Sequence, residues 1–151
     1  AAGHSESVPR PICAQSAEAD TVIRALDSGG PLVPKKIGYT VAEGVAVGDL
    51  GSKGEWVLKV TRGDDGLGAA SDDREILEWQ ARLARLEGIW AGPTGCVTLP
   101  ALAKLVNEKA IPADATVVCI VSETGLKGDA EPPEMTPIAP TSESVRRILL
   151  S

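Results

Sequence analysis

Five apolar residues in succession, Val117-Val118-Cys119-Ile120-Val121, run without a polar break into Ser122-Glu123-Thr124-Gly125. A half-buried strand would alternate apolar and polar residues, so an unbroken β-branched run predicts a strand covered on both faces, as central strands of parallel sheets are. A short helical segment would read similarly, but four β-branched residues in five and a glycine close behind favour the strand. Open α/β sheets bind ligands at the carboxyl ends of their strands, which places Ser122 to Gly125 where chemistry is expected. An ordinary strand-to-loop turn with polar caps would carry the same residues.

The rest of the chain supplies elements for such a sheet. Ile12 to Ser16 has strand character, and Val22, Ile23 and Leu26 are spaced as on a helix that Gly29-Gly30 stops. Gly54 to Thr61 predicts a short helix with Trp56, Val57 and Val60 on one side, and Leu67 to Ala70 a weak strand. Asp72 to Glu87 predicts a long amphipathic helix. Ile76, Leu77, Trp79, Leu83 and Leu86 form its apolar set, acids stand near its start, arginines near its end, and Gly88 closes it. Ser71 stands where an N-cap would be, with Arg74 three residues on and Glu75 one step beyond.

A further helix is expected from Cys96 to Lys109, its start kinked or delayed by Pro100. Residues 1–11 read as a lead-in, 12–128 as one domain, and 129–151 as a proline-rich tail with a short closing helix from Ser142 to Leu150. Right-handed crossovers would assemble this order into an α/β fold, a three-layer parallel sheet with helices on both faces. Only about three strands are visible. A complete doubly wound domain usually has more, so the sheet reads as incomplete.

Composition narrows the function. The 151 residues carry a net charge of −6 with acids and bases interleaved, which leaves no basic stripe for nucleic acid. No apolar run is long enough to span a bilayer, and the amino end does not resemble a signal peptide, so a cytoplasmic protein is expected. Cys13, Cys96 and Cys119 are odd in number and widely spaced, and His4 is the one histidine. Buried thiols are expected, and neither a zinc cluster nor a cysteine–histidine pair. Ala1 opens the sequence instead of methionine, which suggests processing or truncation.

Four segments in order carry a resemblance: Thr40–Asp49 (TVAEGVAVGD), Gly54–Val60 (GEWVLKV), Leu83–Gly95 (LARLEGIWAGPTG) and Val117–Lys127 (VVCIVSETGLK). Together they resemble the carboxy-terminal part of fold-type-II pyridoxal-phosphate enzymes, the threonine synthases and serine/threonine dehydratases, with the threonine synthase-like branch nearest. The resemblance covers roughly residues 10–128. It implies pyridoxal 5'-phosphate as cofactor, and an amino-acid substrate such as phosphohomoserine that undergoes elimination and replacement.

By position, Ser122 matches the residue whose hydroxyl donates a hydrogen bond to the cofactor's pyridine nitrogen. A neutral hydroxyl there would moderate the ring as an electron sink. Gly44, with the backbone around Ala42, matches the segment that lies against one face of the ring. Two positions depart from the pattern: Glu123 stands where the family usually has glycine, and Gly92 where the dehydratases have glutamate. Neither the covalent-anchor lysine nor the glycine-rich phosphate loop has a counterpart in the matched region, so no catalytic residue is assigned. The chain alone is expected to be inactive. A complementing amino-terminal half or a homo-oligomer is the expected partner, and a non-catalytic α/β module that works through such pairing is the alternative.

Overall fold

The structure is a computed structural model, and residues 8–127 and 141–149 are described. Two strands, β1 (Ile12–Ser16) and β2 (Leu67–Ser71), pair in parallel with Ile12 opposite Leu67 and Ser16 opposite Ser71. Between them run α1 (Thr21–Ser28) and α2 (Gly51–Gly63); after them come α3 (Asp73–Glu87), α4 (Pro93–Cys96), α5 (Thr98–Asn107) and α6 (Ser142–Leu149).

Side-chain alternation along the two strands divides the helices into layers. Ile12, Ala14, Leu67 and Ala69 pack against Ala101 and Leu105 of α5 and against Ile111. Cys13 points the other way, into the cluster of Val22 and Ala25 from α1 and Leu58 from α2. Gly68 lies on that same side, where an added Cβ would come within 3.0 Å of both Leu26 and Ile23. The expected architecture therefore holds: an α/β arrangement with a parallel sheet and helices on both faces.

Several local expectations are corrected. Residues 117–121 form no strand, and among the described residues the sheet has two strands. Val118 is 85% exposed and Ile120 72% exposed. β-propensity expresses itself when a neighbouring strand accepts the backbone hydrogen bonds and a packed layer covers the side chains, and this segment has neither. Trp56 lies 66% exposed, while Gly54, Leu58 and Thr61 form the buried face of α2. The helix runs longer than expected at both ends, which shifts the stripe that meets α1.

The cap of α3 is Asp72, not Ser71. Its carboxylate accepts from the Glu75 amide at 2.8 Å, and the Glu75 carboxylate accepts from the Asp72 amide at 2.9 Å, a reciprocal capping box. Ile76 and Gln80 are the fully packed residues of α3, whereas Leu77 and Leu86 lie exposed. The single helix expected over 96–109 is two, broken at Val97. Pro93 starts the first, and Pro100 sits in the first turn of the second, where its missing N–H costs no intrahelical bond. The lead-in residues 1–7, with His4, and most of the proline-rich tail, 128–140, lie outside the described residues.

Candidate active site

The carboxyl ends of β1 and β2 feed a chain of polar side chains. The Ser16 hydroxyl donates to Thr40 Oγ1 at 3.0 Å, and the Thr40 hydroxyl donates to the Asp73 carboxylate at 2.5 Å. The other Asp73 oxygen accepts from the Val41 amide at 3.1 Å, and Thr40 Oγ1 accepts from the Ala42 amide at 3.2 Å. This network anchors the small-residue stretch that begins at Thr40 to the first turn of α3. Neither Thr40 nor Asp73 stood out in the sequence, since each reads as an ordinary loop or helix-start residue until the fold brings them together.

Beyond Thr40, the chain lies against α4. Ala42 is fully buried in a cluster with Ile76, Ala91, Cys96 and Val97. Gly44 is exposed, and its amide donates to Thr94 Oγ1 at 3.1 Å. An added Cβ at Gly44 would stand 2.8 Å from the Thr94 methyl, so the missing side chain lets this segment seat on α4.

On the other side of α4 runs the polar end of the 117–125 segment. The Gly92 amide donates to the Glu123 carbonyl and the Gly125 amide to the Trp90 carbonyl, both at 3.0 Å, around an antiparallel bridge between Ala91 and Thr124. The Gln80 side-chain amide holds the Ala91 carbonyl at 2.6 Å from α3. Gly125 must be glycine here, because a Cβ would stand 2.5 Å from the Trp90 indole nitrogen. Gly95 allows the backbone of Ser122 and Glu123 to pass, with their amides 3.2 and 3.0 Å from where its Cβ would be.

These pieces enclose a cleft of about 500 Å³, lined by Tyr39, Val41 and Glu43, by Leu77 and Gln80 of α3, by Gly92 to Thr94, and by Glu123 to Gly125 with Lys127. Its size is within the range of small-molecule sites. Glu123 departs from a surface role: its Oε2 is buried and has no hydrogen-bond partner among the described residues. The carboxylate lies on the bare Cα of Gly92, where a Cβ would be 2.5 Å from Oε2. Its charge also bears on Cys96, whose thiol is pushed up first by burial and then by Glu123.

The residues singled out by sequence thus converge only in part. Gly44, Ala42 and Ser122 surround the same short helix, but the cleft lining contains their neighbours Val41, Glu43 and Glu123. Ser122 itself is exposed. Three of the four resembling segments meet at the cleft; Gly54–Val60 lies within α2, across the sheet. Among the described residues no cluster of histidine, cysteine or carboxylate could hold a metal, and no helix is long and apolar enough to cross a membrane.

The cleft suits one side of a pyridoxal-phosphate ring. It presents the Tyr39, Thr94 and Thr124 hydroxyls and the Lys127 ammonium as groups that could meet a phosphorylated ring. Held there, the cofactor would supply an electron sink for an amino-acid substrate.

Comparison with known proteins agrees with this reading of the fold and of the cofactor. Threonine synthase of Methanosarcina acetivorans is 33% identical over 126 residues, covering 83% of this chain and 31% of that protein. Serine racemase from Dictyostelium discoideum superposes with a TM-score of 0.55 at 23% identity, over 80% of this chain and 35% of that one. Maize serine racemase gives a TM-score of 0.56 at 20% identity, over 77% and 34%. At such identities the structural likeness speaks for the fold alone. The chain spans about a third of the length of the curated relative it matches. The family described as pyridoxal-phosphate dependent enzyme matches residues 1–123, and this chain belongs to that family.

Proposed function

We propose that this chain forms the carboxy-terminal part of a threonine synthase-like enzyme, and that it supplies one wall of the cofactor site and none of the covalent chemistry. The observation that carries this is the cleft against α4, onto which the Thr40–Asp49, Leu83–Gly95 and Val117–Lys127 segments converge. At its border, Ser122 is assigned to the ring nitrogen, and the backbone of Ala42 and Gly44 to the flank of the ring. The Ser16–Thr40–Asp73 network orients that flank, and the buried Ala42, Ala91 and Cys96 cluster keeps water from beneath it.

In the complete enzyme the substrate would be a phosphorylated hydroxy-amino acid such as phosphohomoserine, and the reaction an elimination followed by replacement. The matched region holds no anchoring lysine and no glycine-rich phosphate cradle, so the chain by itself should bind the cofactor weakly and turn over nothing. Three free thiols suit a reducing, cytoplasmic setting.

A second reading, a non-catalytic module that complements another chain or its own copy, is favoured by the exposure of Val118 and Ile120. Apolar, strand-prone residues left in water invite edge pairing. Intact mass and the visible spectrum after addition of pyridoxal phosphate separate the readings. A heavier species or a copurifying chain, with an absorption band that survives desalting, supports the enzyme. A lone chain of 15.6 kDa with no retained band means a fragment or a non-catalytic module, and the enzyme reading then applies only to the parent protein. Light scattering with Val118→Asp and Ile120→Asp then tests whether this edge drives association.

A further inference from the structure

The polar side chains that line the cleft are unevenly committed. The Gln80 amide is spent on the Ala91 carbonyl, and Oε2 of Glu123 is buried against Gly92, out of reach of a molecule in the cleft. Lys127 is the one cation among the described lining residues. It is exposed, and among the described residues it pairs with no carboxylate, neither Glu43 nor Glu123 included.

Three hydroxyls stand around the same space. Thr94 Oγ1 accepts from the Gly44 amide at 3.1 Å and Thr124 Oγ1 from the Leu126 amide at 3.4 Å, so each keeps its proton to donate. The Tyr39 side chain is 77% exposed. An ammonium with several hydroxyl donors suits a phosphate monoester, whose three terminal oxygens can each take a donor of their own. Glu43, the other exposed charge of the lining, belongs to the Thr40–Asp49 segment across α4. Its repulsion therefore favours an anion at the Thr124–Lys127 turn.

We propose that Lys127 determines specificity for a phosphorylated substrate: its ammonium, with the Thr124 hydroxyl, contacts the phosphate of an amino acid bound in the cleft. This rests on the threonine synthase-like reading above, and it accounts for a preference for the phosphorylated over the free hydroxy-amino acid. The cofactor carries a phosphate too. On the resemblance, that one belongs to a glycine-rich loop with no counterpart in the matched region, which leaves the substrate's phosphate to Lys127. A lysine ammonium is a point charge on a flexible stem, so the contact needs no fixed bidentate geometry.

The test uses the whole chain with two pairs of probes, each pair differing only by a phosphate. One pair is O-phospho-L-homoserine and L-homoserine. The other is 4'-deoxypyridoxine 5'-phosphate and 4'-deoxypyridoxine, which have no aldehyde and so need no anchoring lysine. Affinities are read from backbone amide shifts on titration, at low and at physiological salt. Native protein is compared with Lys127→Gln, with Lys127→Arg, and with Lys53→Gln, which removes an exposed lysine of α2 across the sheet.

Native protein should bind phosphohomoserine more tightly than homoserine. Lys127→Gln should weaken phosphohomoserine about tenfold at low salt and leave homoserine unchanged. Added salt should shrink that loss, and Lys127→Arg and Lys53→Gln should keep the preference. Equal phosphohomoserine affinity in native and Lys127→Gln protein overturns the proposal. So does a loss confined to the pyridoxine pair, which gives Lys127 to the cofactor's phosphate, or a loss matched by Lys53→Gln, which is net charge alone. The reading beneath fails separately: if neither pyridoxine probe shifts the amides of the cleft in native protein, the cofactor assignment falls, while a Lys127-dependent phosphohomoserine contact stands.

Discussion

The side chain of Glu123 occupies the space that any side chain at Gly92 would need, with Oε2 2.5 Å from the position of the missing Cβ. These are the two positions at which the sequence departs from the pattern it resembles, and they are in contact. The missing side chain at Gly92 leaves the room that the Glu123 carboxylate fills. The carboxylate does not point to solvent: its Oε2 is buried against Gly92, in a residue that lines the cleft.

Gly92→Ala should therefore destabilise the protein by about 1–3 kcal/mol, as overpacking does. The cost should largely vanish in a Glu123→Ala background, a coupling that urea denaturation of the four proteins in a double-mutant cycle would read directly. Equal costs in both backgrounds would mean that the two side-chain positions do not meet.

Asp73 carries both the Thr40 hydroxyl and the Val41 amide. Asp73→Ala strands two donors at a partly buried position, and a loss of about 2 kcal/mol is expected. Amide exchange should accelerate from Val41 to Val45 while that of α5 keeps its place relative to global unfolding. Uniform acceleration would show that the network supports the whole fold and not this segment.

Burial pushes the Cys13 thiol from 9.0 up to about 11. Below pH 9 the folded and unfolded chains both keep the proton, and this group contributes no pH dependence. Between pH 9 and 11 the unfolded chain releases its proton first, so stability should fall across that window by about 2–3 kcal/mol. Cys96 and Cys119, also raised by burial, act in the same direction. Comparing Cys13→Ala with native protein isolates the share of Cys13, and parallel stability curves from pH 8 to 11 would exclude it.

The capping box at the start of α3 predicts that Asp72→Ala costs about 1 kcal/mol, whereas Ser71→Ala, which removes a buried hydroxyl without a hydrogen-bond partner, costs less or nothing. Thermal melts of the two variants check the order. The reverse order would return the cap to Ser71.

How far the chain could be read in advance depended on the range of the interactions involved. β1, α1, α2, β2 and α3 stand close to where their residues suggested, because strand alternation, helical spacing and the glycines after α1 and α3 act within a few residues. The cap of α3 was misplaced by one residue, since Ser71 and Asp72 are both good caps and the choice between them lies in the strand register that buries Ser71. The apolar run at Val117 to Val121 was misread for a related reason. Its composition suits a central strand, but a strand exists only through its neighbours, and no local pattern states whether they are there.

The candidate site divides in the same way. The chain of residues alone determined the family resemblance, the cofactor it implies, and the two unusual positions, Gly92 and Glu123, each visible as a residue type in a known motif. That the two touch, that Thr40 and Asp73 anchor the flanking segment, and that Glu123 lines the cleft while Ser122 beside it is exposed, only the tertiary structure decided. These are contacts between residues 31 to 33 positions apart in sequence. They are set by how helices pack on a sheet and by a single antiparallel bridge, and that geometry is a property of the assembled elements and of none of them separately.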